Sequence, residues 1–278
     1  MSDAATTAPA TQAAGSSFYA GMRMLPKAER EAMYAIYGFC RAVDDIADAP
    51  APEEDKRAEL EAWRGALDRI YQGQASHALE RELVDAIRKY GLPREEFDLI
   101  LEGMLIDAAP AVRIADRDAL SGYARRVAGA VGVLSCRIFG ASGEAAKSFA
   151  IALGETLQIT NILRDLDEDA AIDRLYLPLD MIEKAGIGVD CDGRTIIADP
   201  RIGEICGALA GELEDRYRRL PGMMPPGQAG AFRSALIMQH GYEAVFRKLR
   251  ARGWVRRGPR LRLSKTERLA TVLAAFKR

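Results

Sequence analysis

The stretch YAIYGFCRAVDDIAD, residues 34–48, decides how the chain is read. Tyr37, Arg41, Asp44 and Asp48 follow at intervals of four, three and four. On a helix those intervals stack all four side chains on one face, with Asp45 turned about 100° away. Around them stand apolar or small residues, among them Met33, Ile36, Phe39 and Ala47. A second stretch, QITNILRDLDED (residues 158–169), repeats the device. Gln158, Asn161, Asp165 and Asp169 fall at three, four and four, with Arg164 beside them and Ala152, Leu153, Leu157 and Ile162 on the other faces. A polar stripe on an otherwise apolar helix is either solvated or lines a cavity, and the Tyr, Gln and Asn beside the acids favour a cavity.

Two carboxylates one turn apart repel unless a cation sits with them. Mg²⁺ suits such a site, since it takes oxygen ligands and bridges to phosphate. A solvated acidic face is the alternative for either pair alone; the repetition favours metal and diphosphate. Other chemistries lack their residues. The only histidines, His77 and His240, do not follow a Glu by three, which excludes a carboxylate-bridged di-iron bundle. No G-x-S-x-G elbow, phosphate loop or dinucleotide fingerprint occurs, so NADPH and ATP are not expected.

Outward from these stretches the chain reads as helices at about 26–48, 53–72, 76–90, 94–108, 116–139, 142–168, 201–219, 228–251 and 264–276. Breakers such as Pro50, Gly73, Pro93, Pro110 and Gly140 separate them, and residues 174–200 read as a loop with a short helical turn. No strand alternation persists. The organisation expected is a disordered tail at 1–15, rather than a signal peptide, and one all-α domain at 16–278. Gly122, Gly129 and Gly132 inside helix 116–139 suggest space for a ligand, with close helix packing as the alternative. Four scattered cysteines (Cys40, Cys136, Cys191, Cys206) fit a reducing cytoplasm, and no apolar run is long enough for a membrane span.

Of the 278 residues, 39 are Lys or Arg and 40 Asp or Glu, for a net charge of −1. The charges are segregated: residues 201–278 hold 17 basic and 6 acidic side chains. A uniformly basic nucleic-acid binder is not expected from this pattern.

At SFY (17–19), YAIYGFCRAVDDIAD, YARRVAGAVG (123–132), QITNILRDLDED and RLYLP (174–178) the sequence resembles the squalene/phytoene synthase family of head-to-head prenyltransferases. The likeness runs from residue 16 to the RLRLSK segment at 260–265. Its opening block is most similar to the bacterial members that make presqualene diphosphate for hopanoids. The resemblance implies an all-α isoprenoid-synthase bundle around a central hydrophobic cavity. It implies two or three Mg²⁺ ions on Asp44, Asp48, Asp165 and Asp169, with Asn161 in the ligand set. Arg41, Gln158, Asn161 and Arg164 match positions that contact diphosphate or hold the metal ligands. Ser17, Phe18, Tyr37, Tyr123 and Tyr242 match positions around the diphosphates and reacting carbons, while Tyr176 and Arg260 match late motifs near the same mouth. Two farnesyl diphosphates are the implied substrates, without NADPH. The alternatives are phytoene synthase with two geranylgeranyl diphosphates, NADPH-dependent squalene synthase, or a non-catalytic helical interaction protein. The basic run Arg247–Arg268 suggests peripheral contact of a cytoplasmic protein with an anionic membrane surface.

Overall fold

Proline, glycine and charge set the helix boundaries. α1 (Lys27–Asp48) starts behind Pro26, whose carbonyl accepts from the Arg30 N–H at 2.9 Å. It stops at Ala49, which turns extended (ψ 141°) ahead of Pro50. α2 (Glu53–Tyr71) opens behind Pro52 with Glu53, Glu54 and Asp55 in its first turn, where carboxylates offset the helix dipole. α3 (Ala78–Tyr90) ends on Gly91, whose φ of 59° is left-handed, and α4 (Arg94–Asp107) follows Pro93. The structure, a computed structural model, describes Met22, residues 25–254, Gly258 and residues 260–275. Ser17, Phe18 and the expected tail at 1–15 lie outside the described residues.

The expected helix at 116–139 divides into α5 (Arg117–Ala124), a π turn (Arg125–Gly129) and α6 (Ala130–Ile138). The expected helix at 142–168 also divides. α7 (Glu144–Arg164) stops at Asp165, whose φ of −103° and ψ of 13° leave the helical region, and α8 (Leu166–Ala171) restarts beyond it. A two-stranded parallel ladder corrects the expectation of no strands. It pairs β1 (Val112–Ile114) with β2 (Arg174–Pro178), segments too short to show alternation. Two short helices, α9 (Leu179–Lys184) and α10 (Gly193–Ile197), occupy the stretch read as a loop with one turn. α11 (Ile202–Met223), α12 (Arg233–Arg252) and α13 (Lys265–Ala275) complete the all-α bundle.

Two apolar clusters hold these elements. One gathers α1 to α4 and α6 around Phe39, Leu67 and Phe97; the other gathers α5, α7, α11 and α12 around Phe149, Leu157, Leu213 and Phe232. Val127 and Phe139 pack against both. α7 runs between its neighbours, touching the π turn, α6, α11 and α12. A Cβ on Gly132 would stand 2.5 Å from the Ala150 carbonyl oxygen, so α6 meets α7 backbone to backbone. Close packing, rather than ligand space, is therefore what demands glycine at 132. Among the described residues no helix is long and apolar enough to cross a membrane.

Candidate active site

α1 presents its acidic face near the cavity, as its spacing predicts. Arg41 Nη1 donates to Asp44 Oδ2 at 3.0 Å, and Arg41 also pairs with Asp45. Four residues on, Asp48 Oδ1 accepts from Arg174 Nη1 at 2.7 Å. Arg174 stands at the start of β2, and its second nitrogen donates to the carbonyls of Ala47 (3.2 Å) and Asp107 (2.8 Å). The small ladder thus ties the end of α1 to the end of α4.

The second face is built across the helix break. Asp165 caps α7, yet the Asp169 N–H still reaches the Asp165 carbonyl at 2.9 Å, so the two acids remain one turn apart. Arg164 Nε donates to Asp165 Oδ1 at 2.7 Å, and Arg260 Nη2 donates to Oδ2 at 2.8 Å. Arg164 also lies over the Tyr242 ring, 5.9 Å from its centroid. Asn161 Nδ2 donates to Gln158 Oε1 at 3.4 Å, which leaves the buried Asn161 Oδ1 with no hydrogen-bond partner.

Between the faces sits a group that the sequence reading missed. Asp107, the last residue of α4, is 5% exposed and accepts from Tyr176 (2.7 Å) and Tyr123 (2.9 Å). The two tyrosine rings stack with centroids 4.8 Å apart. Tyr176 therefore spends its hydroxyl on Asp107, and Tyr123 does the same from the cavity wall. Burial pushes the Asp107 carboxyl up to about 6, tempered by the Tyr176 hydrogen bond and by Arg174. The charge of Asp107 is felt at Asp169, and Asp44 is felt at Asp107. In the sequence Arg174 is marked only as the first residue of RLYLP, with no role of its own. It neighbours both faces, lowering the carboxyl groups of Asp44 and Asp169 alike.

The cavity has two lobes. The first, about 910 Å³ of empty space with its open mouth, lies under α1 and is lined by Ile36, Tyr37, Cys40 and Met104, with Arg41 and Asp44 on its polar side. The second, about 760 Å³ on the same measure, lies between α6, α7 and α12. Leu153, Leu157, Phe232 and Met238 line it, with Asn161 and Tyr242 on its polar side. Val127, Val131 and Gln158 belong to both lobes.

Among the described residues no three His, Cys, Asp or Glu side chains gather closely enough to hold a metal ion. The donor chemistry nevertheless fits one. Burial first, and then Asp48, raises the Asp44 carboxyl above the usual carboxylate range. Burial and then Asp165 push Asp169 up to about 7. These are acids lacking sufficient counter-charge, and the orphaned Asn161 oxygen is a further hard donor.

Asp169 carries a stability consequence. The folded protein holds a proton there that the unfolded chain releases near pH 4. Between about pH 4 and 7 the folded state binds more protons, so stability falls as pH rises. Asp169→Asn is expected to stabilise the cation-free protein at pH 8 by on the order of 2 kcal/mol and to flatten that decline. Thermal melts at pH 5 and pH 8 measure both; identical melts for the two proteins would refute it.

The helical bundle thus sets two acidic faces over a two-lobed apolar cavity. The chain belongs to the squalene/phytoene synthase family of prenyltransferases, whose pattern it matches over residues 11–267. It is 40% identical over 262 residues to a presqualene diphosphate synthase of Zymomonas mobilis, covering 94% of this chain and 89% of that one. It is 39% identical over 272 residues to a presqualene diphosphate synthase of Rhodopseudomonas palustris, covering 97% of each. A crystal structure of a dehydrosqualene synthase in complex with ligand shares the fold, with a TM-score of 0.79 at 21% identity, over 98% of this chain and 94% of that one.

Proposed function

We propose that the protein condenses two farnesyl diphosphates head to head (1′-2-3), releasing one diphosphate and retaining the other on presqualene diphosphate. One observation carries this reading: two apolar lobes, each with its own acidic or amide-bearing polar side, meet at Val127, Val131 and Gln158. Such a cavity suits two prenyl chains held with their charged ends on the polar sides and their reacting carbons together. The similarity to two presqualene diphosphate synthases supports the same product.

Asp44 and Asp48 on one side, and Asn161, Asp165 and Asp169 on the other, would hold two or three Mg²⁺ ions. Bound there, Mg²⁺ supplies the positive charge that lowers the barrier to diphosphate departure. Arg41, Gln158, Arg164 and Arg260 bind and orient the diphosphates, with Arg164 and Arg260 first giving up part of their hold on Asp165. Tyr37, Tyr123 and Tyr242 border the reacting ends, and Tyr176 acts through Asp107. The apolar lobe walls keep water from the allylic cation until the second alkene attacks it.

Labelled farnesyl and geranylgeranyl diphosphates, each incubated with the protein and Mg²⁺, test the reading by mass of product. Presqualene diphosphate from the C15 substrate, with no NADPH consumed, is the expected result. A C40 product from geranylgeranyl diphosphate alone would replace it with phytoene synthesis, and squalene formed with NADPH would replace the one-step reaction.

The chain also suits peripheral attachment to an anionic membrane in the cytoplasm, as part of a single all-α domain at 16–278 behind its tail. α13 exposes Leu269 and Leu273 (61% and 56%) beside Lys265 and Arg268. Arg262, Lys265 and Arg268 have no carboxylate partner among the described residues, whereas Arg247, Lys248, Arg250 and Arg260 do. Sedimentation with phosphatidylserine vesicles, weakened by high salt and by Leu269→Glu, is the expected outcome. Equal sedimentation with uncharged vesicles would oppose it.

A further inference from the structure

The helical run from Arg117 to Ile138 is interrupted by its π turn, where the Ala130 N–H reaches back five residues to the Arg125 carbonyl. Such turns are rare and strain the ladder, so they persist where surroundings hold them. Four contacts hold this one. Arg125 donates to both carboxylate oxygens of the fully buried Glu96, at 2.8 and 2.9 Å. Arg126 Nε donates to Glu102 at 3.0 Å. On α4, a Cβ at Gly103 would stand 2.5 Å from Val127 Cγ1; on α7, a Cβ at Gly154 would stand 2.5 Å from the Ala128 carbonyl oxygen. Both flanking helices are reduced to glycine where the turn presses on them.

The turn delivers Val127 to the junction of the two lobes. Val127 lines both, as does Val131 one helical turn later, with Gln158 contributed by α7. We infer that Val127 is a specificity-determining residue that keeps the two prenyl chains apart and fixes the register at which their reacting ends meet. The inference rests on the proposed condensation.

The allylic cation left by diphosphate departure has two fates. Attack by the 2,3-alkene of the second molecule forms carbon–carbon bonds, and loss of a proton closes the cyclopropane. Capture by water forms a prenyl alcohol, also with loss of a proton. The first fate depends on close register, and a misplacement of about 1 Å costs on the order of 100-fold. Val127→Ala removes both γ-methyl groups at the junction and lets the chains slide; Val127→Leu overfills it and pushes them apart. Either change favours water.

The test measures diphosphate released against condensed product, using farnesyl diphosphate and Mg²⁺, with circular dichroism on each variant. The unaltered protein gives one diphosphate per product. In Val127→Ala and Val127→Leu the ratio is expected to rise about tenfold, with prenyl alcohol accounting for the difference. If one variant does not fold, the other reads the same ratio. A folded variant that keeps the ratio at one overturns the inference while the unaltered enzyme still condenses its substrate. An unaltered protein that forms no condensed product overturns the proposed function instead, and this inference with it.

Discussion

Asp44→Asn lowers product formation from farnesyl diphosphate by at least about 100-fold while leaving the protein folded. The expectation comes from what the carboxylate does in each role. As structure, Asp44 accepts one hydrogen bond from Arg41 at 3.0 Å, which the amide oxygen of Asn accepts equally well. Burial and the neighbouring Asp48 already penalise its charge, so a neutral side chain relieves the fold. As chemistry, the amide lacks the negative charge with which Asp44 would hold a divalent cation against diphosphate in the proposed reaction. The loss therefore appears in turnover and in the Mg²⁺ concentration required, not in the melting temperature. Near-normal turnover at ordinary Mg²⁺ by the purified variant would remove Asp44 from the metal-binding set.

The largest expected loss of stability lies away from the acidic faces. Glu96→Ala is expected to cost about 3–5 kcal/mol, because it strands the Arg125 guanidinium beside a fully desolvated site. For a chain of this size that is a drop of about 10 °C in melting temperature. Glu96→Gln, which keeps the shape and one acceptor, falls between. Removing Arg125 together with Glu96 is expected to cost less than the two single losses combined, since neither partner is then left alone. A shift of only about 2 °C for Glu96→Ala would mean that water reaches Arg125 in place of the carboxylate.

The two acidic faces were legible because their logic is local. An uninterrupted apolar helix carries Asp44 and Asp48 wherever it packs, so spacing alone places them together. Asp165 shows where that reasoning stops. No Gly or Pro marks the break in NILRDLDED, and at that break Arg164 and Arg260 both grip the carboxylate, the latter from 95 residues along the chain. Asp107 was illegible for a related reason. It is a lone acid at the end of an apolar helix, and its partners Tyr123 and Tyr176 lie 16 and 69 residues away. The π turn left a trace that pointed elsewhere. The glycines of the run 116–139 suggested room for a ligand; Gly132 admits the backbone of α7 and also lines the second lobe, while Val127 and Val131 line both lobes.

The backbone contact between α6 and α7 has a consequence for the stability of the fold. Walls that meet without side chains cannot collapse into the second lobe, so the apolar space beside them persists whether or not a prenyl chain fills it. Filling it adds the binding free energy of the occupant to the stability of the fold. An occupant that leaves the lobe is therefore expected to lower the melting temperature of the protein, and one that enters it to raise it.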